Sequence, residues 1–330
     1  MRLEAQNIGI VKLGAIGDVV NSLPFVNRLR DAYPRARLTW VIAPLAHGVV
    51  AGHRAVDEFL VVDVKRPGNW TSIVRELRAR RFDACIDLQR ILKSGALTRA
   101  SGAPVRVGFD RERCKESSWL FTTHRIPPNP SPGVTVAQYL EFADYLECPA
   151  TPVSYDLPDV PFAPASSSET RVVVHVGATK SANRWSDASW SRLIARLASE
   201  LGATVHCTGT RGEADAIERI VRDAGVAAVS HAGRLSLPET AGLIRSSRLF
   251  VGGDTGPLHV AVAVGTPVVA LFGAADPART GPFGQRDGVI SHPVACSPCR
   301  RRECNVDGHP CMRDLSVDLV FERARARLRA

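Results

Sequence analysis

The segment LFVGGDTGPLHVAVAVGTPVVALFG, from Leu249 to Gly273, combines two apolar runs with a glycine-rich turn and a helical pattern between them. The first run, LFVGG, has the length of a buried strand, and the second, PVVALFG, has the same character. We expect the helix to begin at about Pro257, because proline is favoured in the first turn of a helix. Strand, helix and strand in this order predict a βαβ unit with parallel strands.

The same alternation of strand and helix runs through most of the chain. In the first half, helical patterns separate the apolar runs NIGIVKL, RLTWVIA, EFLVVDV and DACIDLQ, and RVVVHVG and ATVHCTG restart the alternation in the second half. Uninterrupted apolar strands are typical of parallel sheets, because helices cover both faces of such sheets. The pattern predicts an α/β protein with two Rossmann-like, doubly wound domains facing a central crevice, where ligands bind at the carboxyl ends of the strands.

A segment rich in proline and serine separates the two halves. Prolines at positions 149, 152, 158, 161 and 164 cannot occupy a regular helix or a central strand. We therefore expect a first domain at 1–155, a linker at 156–170 and a second domain at 171–312. The last segment, 313–330, reads as an amphipathic helix that could pack back on the first domain.

The overall composition limits the class of protein. With 45% hydrophobic and 23% charged residues the chain is globular, and no run approaches the ~20 apolar residues of a membrane span. The first residues lack the pattern of a secretory signal, which predicts a cytoplasmic protein. A net charge of +9 suits an anionic partner, although a general bias towards arginine would produce it too. Nucleic acid is not expected, because aromatic residues are not interleaved with the basic ones.

The turn from Gly252 to Gly256 is a candidate phosphate site. Glycine lets the backbone approach a ligand closely, and the N–H groups and positive dipole at a helix start suit an anion. Thr255 would add a hydroxyl donor. The turn lacks the Gly-Lys-Ser/Thr of a Walker A loop and the GxGxxG spacing, so a plain strand–helix joint stays an alternative.

A second candidate loop lies within VVVHVGATKSANRWSDASW, residues 172–190. Lys180 and Arg184 follow a strand at its carboxyl end, where a diphosphate would bind, but both could be solvated loop charges. Ser186 stands just before the next apolar helix, where we expect it to act as N-cap.

The third candidate is Asp18, in IVKLGAIGDVVNSLPFVNRLR, residues 10–30. It falls where a turn containing Gly14 and Gly17 becomes a helix. Aspartate is a common N-cap, and a carboxylate at a crevice can also act as a general base. From these residues alone the capping interpretation is favoured.

These segments together resemble the ADP-heptose:lipopolysaccharide heptosyltransferases of glycosyltransferase family nine. The resemblance covers nearly the whole chain and rests on two patterns, GDxxxxLP from Gly17 and GxDTGxxHxAxAxxxP from Gly252. It implies a GT-B fold and an inverting, metal-independent transfer of heptose from ADP-heptose to a lipopolysaccharide inner-core acceptor. No cofactor would be required for catalysis.

The resemblance also implies roles for individual residues. Asp18 matches the family's general base, which takes the proton of the attacking acceptor hydroxyl. The turn of Asp254, Thr255 and Gly256 and the helix through His259 match the part of the family that binds the donor diphosphate. The N–H groups of Thr255 and Gly256 would face phosphate, and Asp254 would hold a sugar hydroxyl or shape the loop.

One departure from the family pattern lies in the second loop. The position of the family's diphosphate-binding lysine is occupied by Asn183. We therefore expect Lys180 or Arg184 to supply the positive charge that the donor requires.

The acceptor-binding residues are expected in the first domain. The candidates are Gly17, Gln89, Lys93, Arg106 and Arg111. The resemblance places Gln89 and Lys93, together with Asp87 and Ser94, in the family segment after the fourth strand. The basic side chains that could meet acidic sugars or lipid phosphates also include Arg90 and Arg113. Guanidinium groups suit carboxylate and phosphate, although ordinary surface basicity explains any one of these cations as well. The implied partner is an anionic glycolipid acceptor, and the protein would associate peripherally with the cytoplasmic face of the inner membrane to reach it.

Four cysteines crowd into one short segment, as Cys296-x2-Cys299-x4-Cys304-x6-Cys311. The first pair has the spacing of a metal knuckle, and four thiolates could close a tetrahedral, structural Zn or Fe site. Free thiols and disulfides stay open as alternatives, although disulfides are uncommon in a cytoplasmic protein.

Two other functions stay open. One keeps the fold and the chemistry but uses a different nucleotide-sugar or acceptor, such as a capsule, a secondary metabolite or a protein. The other is a non-catalytic nucleotide-binding module, in which Asp18 would have no chemical task.

Overall fold

The computed structural model describes residues 1–163 and 169–329, which form two compact units divided between Pro158 and Asp159. The division falls within the expected linker, 156–170. Residues 164–168 of that linker and Ala330, at the end of the expected C-terminal helix, lie outside the described residues. Each unit contains a six-stranded sheet whose paired strands are parallel. The predicted α/β class with two Rossmann-like domains is confirmed.

The first unit has the strand order β3-β2-β1-β4-β5-β6. Its strands are β1 (Asn7–Val11), β2 (Arg37–Ile42), β3 (Glu58–Val61), β4 (Ala84–Asp87), β5 (Val105–Gly108) and β6 (His124–Arg125). Its helices are α1 (Ile16–Ala32), α2 (Pro44–Val50), α3 (Trp70–Ala79), α4 (Leu92–Ala100) and α5 (Thr135–Tyr145). The order reverses between β1 and β4, which makes their carboxyl ends the topological switch point where ligands bind in such sheets.

The second unit has the strand order β12-β11-β10-β7-β8-β9. Its strands are β7 (Thr170–His175), β8 (Ala203–Thr208), β9 (Ala228–Ser230), β10 (Leu249–Gly253), β11 (Val268–Phe272) and β12 (Val289–Ser291). Its helices are α6 (Asp187–Leu201), α7 (Ala214–Asp223), α8 (Leu237–Arg245), α9 (Gly256–Ala263), α10 (Pro277–Thr280), α11 (Pro310–Arg313) and α12 (Val317–Arg329). Here the switch point lies between β7 and β10.

Burial of the central strands explains their apolar sequences. In β1, Ile10 has no exposed surface and lies opposite Trp40 of β2 and Ile86 of β4. In β10, Val251 lies in the same way between Val174 and Val269. Full burial of one such side chain is worth about 1.5–3 kcal/mol, so both faces of each sheet favour apolar residues.

The starts of α6 and α9 agree with the sequence-based expectation, and the start of α1 does not. Ser186 caps α6 by accepting a hydrogen bond from the N–H of Ser189 at 3.1 Å, and α9 begins at Gly256. The first helix begins at Ile16, because the N–H of Val19 already donates to the carbonyl of Ala15 at 2.9 Å. Asp18 therefore lies inside the first turn, and the interpretation of Asp18 as N-cap is wrong.

The last helix, α12, packs within the second unit. Its buried side chains Val320, Phe321 and Ala324 lie in the same apolar core as residues of α6 and β10. The guanidinium of Arg196 in α6 covers the ring of Phe321 at 3.8 Å. The expectation that this helix packs back on the first domain stays a prediction. None of the helices among residues 1–163 and 169–329 is long and apolar enough to span a membrane.

Candidate functional site

Asp18 lies at the switch point of the first unit, in the first turn of α1 just after β1. Its side chain is 39% exposed, whereas that of Lys12, at the end of the same strand, is 1% exposed. The Lys12 ammonium lies 3.5 Å from Asp18 Oδ2. The carboxylate is thus open to solvent on one side and paired with a buried cation on the other.

The loops around Asp18 are held by residues that follow β4. Gln89 Oε1 accepts hydrogen bonds from the N–H groups of Leu13 and Gly14, at 3.0 and 3.1 Å. Asp87 accepts from Ser94 Oγ at 2.9 Å and from the N–H of Gln89 at 2.8 Å. Burial raises the pKa of Asp87 to about 6. Gln89 therefore shapes the turn before Asp18, and its predicted contact with the acceptor stays a prediction.

The predicted acceptor-binding residues occupy different environments. Lys93 and Arg111 are exposed, and the Arg111 guanidinium lies over the Trp119 ring at 5.0 Å. Arg106 donates to the carbonyls of Phe121 and Ala103, at 2.9 and 2.6 Å, which gives this guanidinium a structural task. Gly17 is buried in the first turn of α1. The structure brings Gly17 and Gln89 to the loops around Asp18, and acceptor binding by any of these residues stays a prediction.

In the second unit the glycine turn leads from β10 into α9. Gly252 has no room for a side chain, because a Cβ there would lie 2.9 Å from the Phe250 ring. Asp254 Oδ2 accepts from Thr280 Oγ1 at 3.0 Å, and its Oδ1 lies 3.7 Å from His259 Nε2. These contacts tie Asp254 to both neighbouring helices. The N–H groups at the start of α9 have no acceptor within the helix and suit an anion.

The loop after β7 lies beside this turn at the same switch point. Asn183 is buried, and its Oδ1 accepts from the N–H of Ala275 at 3.0 Å, so it holds the loop that follows β11. Arg184 is half-exposed and paired with Asp187 at 3.1 Å. Lys180 forms no salt bridge with any residue that the structure describes. Of the two predicted cations, Lys180 is therefore the one without a competing carboxylate.

Sequence reasoning missed Glu213, which lies in the short 3-10 helix Arg211–Glu213 that follows β8. Its carboxylate accepts from the N–H of Ala178 at 3.3 Å and from the N–H and hydroxyl of Thr210 at 2.8 and 2.7 Å. A Cβ on Gly177 would lie 2.8 Å from Glu213 Oε2. Glu213 thus connects the loops after β7 and β8. The Thr210-x-x-Glu213 spacing of a capping box was the signal that could have identified it.

The cysteine-rich segment, residues 296–311, packs against the loop after β7. The N–H of Ala182 donates to the carbonyl of Arg302 at 3.1 Å, and His309 Nε2 donates to the carbonyl of Ala182 at 2.9 Å. A cavity of about 330 Å³ lies at this contact and is lined by Ala182 and by all four cysteines of the segment, which are Cys296, Cys299, Cys304 and Cys311. Burial, and then the other three thiols, raise the pKa of Cys311. The described residues contain no group of three or more His, Cys, Asp or Glu side chains in a metal-binding arrangement.

The chain is similar in sequence to known heptosyltransferases over most of its length. The chain is 25% identical over 297 residues to the lipopolysaccharide core heptosyltransferase OpsX of Haemophilus influenzae, covering 87% of this chain and 84% of the relative. It is 28% identical over 309 residues to lipopolysaccharide heptosyltransferase 1 of Pseudomonas aeruginosa, covering 89% and 86%.

Solved structures show the same fold. The ADP-heptose LPS heptosyltransferase II of Escherichia coli matches with a TM-score of 0.78 at 21% identity, over 98% of both chains. The iron-containing dodecameric glycosyltransferase TibC from enterotoxigenic E. coli matches with a TM-score of 0.65 at 19% identity, over 100% of this chain and 80% of that one. The two-domain fold is therefore GT-B.

A family model settles the membership. The model for glycosyltransferase family 9 (heptosyltransferase) matches residues 70–309, which is most of the chain. The match includes the loop after β7, the Asp254 turn and nearly all of the cysteine-rich segment. The chain belongs to glycosyltransferase family 9, the heptosyltransferases, and is a glycosyltransferase.

Proposed function

We propose that this enzyme is an inverting heptosyltransferase that moves heptose from ADP-heptose to a hydroxyl of a lipopolysaccharide inner-core acceptor. The observation that carries the proposal is the solvent-accessible carboxylate of Asp18 at the switch point of the first unit. Support for the donor and the acceptor comes from the relatives, whose names specify ADP-heptose and the lipopolysaccharide core.

In the proposed reaction Asp18 acts as general base. It takes the proton of the acceptor hydroxyl while that oxygen attacks the anomeric carbon of the heptose from the face opposite ADP. The new C–O bond forms as the bond to the diphosphate breaks, and ADP leaves with the electron pair, which inverts the anomeric carbon. The helix start and the Lys12 cation favour the ionised form of Asp18, so this base depends on positioning more than on high basicity.

The donor-binding residues are proposed in the second unit. The leaving diphosphate gains negative charge in the transition state, so groups that stabilise this charge accelerate the transfer. We assign this task to the N–H groups of Thr255 and Gly256 and to the Lys180 ammonium. Asp254 would repel phosphate, and its contacts with Thr280 and His259 support a loop-shaping role. No metal ion takes part in the proposed step.

Contact with an anionic membrane surface would bring the enzyme to its glycolipid acceptor. Exposed Lys93 and Arg111 provide cations, and the side chain of Leu120, beside Trp119, is 64% exposed. Tryptophan and arginine are favoured at membrane interfaces, and each cation near an anionic surface is worth about 1 kcal/mol. We place the protein peripherally at the cytoplasmic face of the inner membrane.

Vesicle sedimentation tests this placement. Wild-type protein should sediment with anionic vesicles at low salt and much less with neutral ones, because exposed cations are attracted to anionic lipid. Binding to the anionic vesicles should fall at high salt, which screens exposed charges. Replacing Lys93 and Arg111 by glutamate should abolish the difference. The matched control replaces Arg219 and Arg222, two exposed arginines of α7, by glutamate. If both double variants bind equally, the proposed surface is not the one that meets the membrane.

The four cysteines of the 296–311 segment are proposed to hold a structural Zn or Fe ion. The support is that all four cysteines line one cavity and that the name of the similar structure TibC specifies an iron-containing enzyme. Among the described residues the thiols are not gathered in a metal-binding arrangement, so binding would have to draw them together. A closed site of four thiolates would leave no position open for chemistry, so the ion would act on the fold. Through Arg302 and His309 it would stabilise the loop that carries Lys180.

Metal removal should therefore weaken donor binding. We expect about one equivalent of Zn or Fe in protein purified without chelator, and a several-fold higher Kd for ADP-heptose once the metal is removed. Replacing Cys296 and Cys299 by serine should prevent metal binding, whereas replacing Cys148, a free cysteine of the first unit, should not. Fewer than ~0.1 equivalents of metal in the purified wild type would count against the site.

The two other functions are separated by one experiment. The enzyme is incubated with a panel of nucleotide-sugars, with and without candidate acceptors, and release of free nucleotide is measured. Release with ADP-heptose and a lipopolysaccharide acceptor supports the proposal. Release only with another sugar or acceptor supports the changed-substrate alternative, and ADP binding without any turnover supports a non-catalytic module.

A further inference from the structure

A buried lysine lies directly behind the proposed base. Lys12 follows the last residue of β1, and its side chain is 1% exposed. Lysine is almost never fully buried unless it is paired, because removing an unpaired ammonium from water is costly. The carboxylate in salt-bridge contact with this ammonium is that of Asp18, at 3.5 Å.

Groups from several elements face the Lys12 ammonium. Asp18 approaches from α1, Asp87 from the end of β4 and Arg90 from the loop after β4. The carbonyl of Leu88 accepts a long hydrogen bond at 3.4 Å, and the ring of Tyr139 in α5 lies 5.2 Å away. Burial lowers the pKa of Lys12, and the Asp18 carboxylate opposes that shift most strongly.

The two carboxylates near Lys12 are not equivalent. Asp87 is buried and already accepts hydrogen bonds from Ser94 and from the backbone of Gln89. Asp18 is the nearer partner and is exposed on its outer side, where an acceptor hydroxyl could approach. The ammonium therefore acts on the carboxylate that is proposed to do chemistry.

We propose that Lys12 is a positioning residue for the transfer, whose buried ammonium orients the Asp18 carboxylate and keeps it ionised. The inference rests on the proposed role of Asp18 as general base. An opposite charge within about 4–6 Å favours the ionised form of a carboxylate. Once Asp18 takes the acceptor proton, Lys12 loses its counter-ion inside the protein, which favours rapid return of that proton to solvent.

The pH profile of the Lys12→Met variant tests the inference. Methionine keeps the length and burial of the side chain but removes the charge, and Asp18 can still be hydrated because it is partly exposed. We expect kcat to fall at least tenfold and the acidic limb of the kcat–pH profile to move to higher pH. The KM for ADP-heptose should change less than twofold, because the proposed donor residues lie in the second unit.

Two further variants separate positioning from folding. Lys12→Arg keeps the charge, so its acidic limb should stay near that of the wild type even if its rate is lower. In a double-mutant cycle, adding Lys12→Met to Asp18→Asn should cost less than twofold, because Lys12 acts through the carboxylate that is already absent. Donor binding by each variant reports whether the fold is intact.

The outcomes distinguish this inference from the proposed function. If Asp18→Asn transfers heptose at the wild-type rate, Asp18 is not the base and both proposals fail. If Asp18→Asn is inactive while Lys12→Met keeps the wild-type kcat and pH profile, only the role of Lys12 is refuted. Equal shifts of the acidic limb in Lys12→Arg and Lys12→Met would also refute it, because the charge would then be irrelevant.

Discussion

The Asp18→Asn variant is expected to lose a factor of about 10²–10⁴ in kcat, which is the usual worth of a general base. Asparagine has the same size but cannot accept the proton of the acceptor hydroxyl. The Kd for ADP-heptose should be unchanged, because the proposed donor-binding residues Thr255, Gly256 and Lys180 all lie in the second unit. ADP release and calorimetric titration with ADP-heptose measure the two quantities separately.

Asp31→Asn is the matched control for Asp18→Asn. Asp31 lies near the end of the same helix and is exposed, and its carboxylate accepts a hydrogen bond from the hydroxyl of Thr151 at 3.3 Å. Its variant should keep the wild-type rate. Comparable losses in the two variants would show that the effect arises from the helix and not from the proposed base.

Lys180→Ala is expected to lower kcat/KM at least tenfold, which corresponds to ~1.4 kcal/mol of transition-state stabilisation. Lys180 is the candidate cation without a salt bridge to a described residue, and it lies in the loop after β7 at the switch point. Loss of its charge should affect the departing diphosphate. Steady-state kinetics with ADP-heptose as the varied substrate measure the change.

Arg184→Ala provides the comparison within the same loop. Because Arg184 is already paired with Asp187, its removal should cost less than threefold in kcat/KM. Unchanged kcat/KM in Lys180→Ala together with a tenfold loss in Arg184→Ala would indicate that Arg184, and not Lys180, contacts the diphosphate. Asn183→Lys should not restore the family contact, since a longer side chain would lose the hydrogen bond to Ala275.

The central part of the fold could be predicted because its strands are apolar along their whole length. Strands such as β10 and β11 are buried on both faces, and their sequences show it directly. The edge strands β6 and β9 are short and only partly buried, so their residues carry no comparable signal. Tertiary pairing with a neighbour defines these strands, and local sequence does not contain that information.

The site could be predicted less completely than the fold. The Asp18 and Asp254 turns were visible as glycine-containing strand–helix joints. Lys12 was not, because a lysine that ends an apolar run is expected to reach solvent, and its pairing with Asp18 depends on burial. Asn183 and Glu213 likewise act through contacts with loops that are distant in sequence. Sequence identifies the residue types near a site, and packing decides which of them face it.

The most direct test of the proposed function follows the sugar itself. Wild-type enzyme is incubated with ADP-heptose and a heptose-free glycolipid that bears the acidic inner-core sugars, and the acceptor is analysed by mass spectrometry while free ADP is quantified. We predict that the acceptor gains one heptose for each ADP released, and that Asp18→Asn forms neither product at a comparable rate. An unmodified acceptor in the presence of bound ADP-heptose, or full transfer by Asp18→Asn, would contradict the assignment of this chain as a heptosyltransferase with Asp18 as its base.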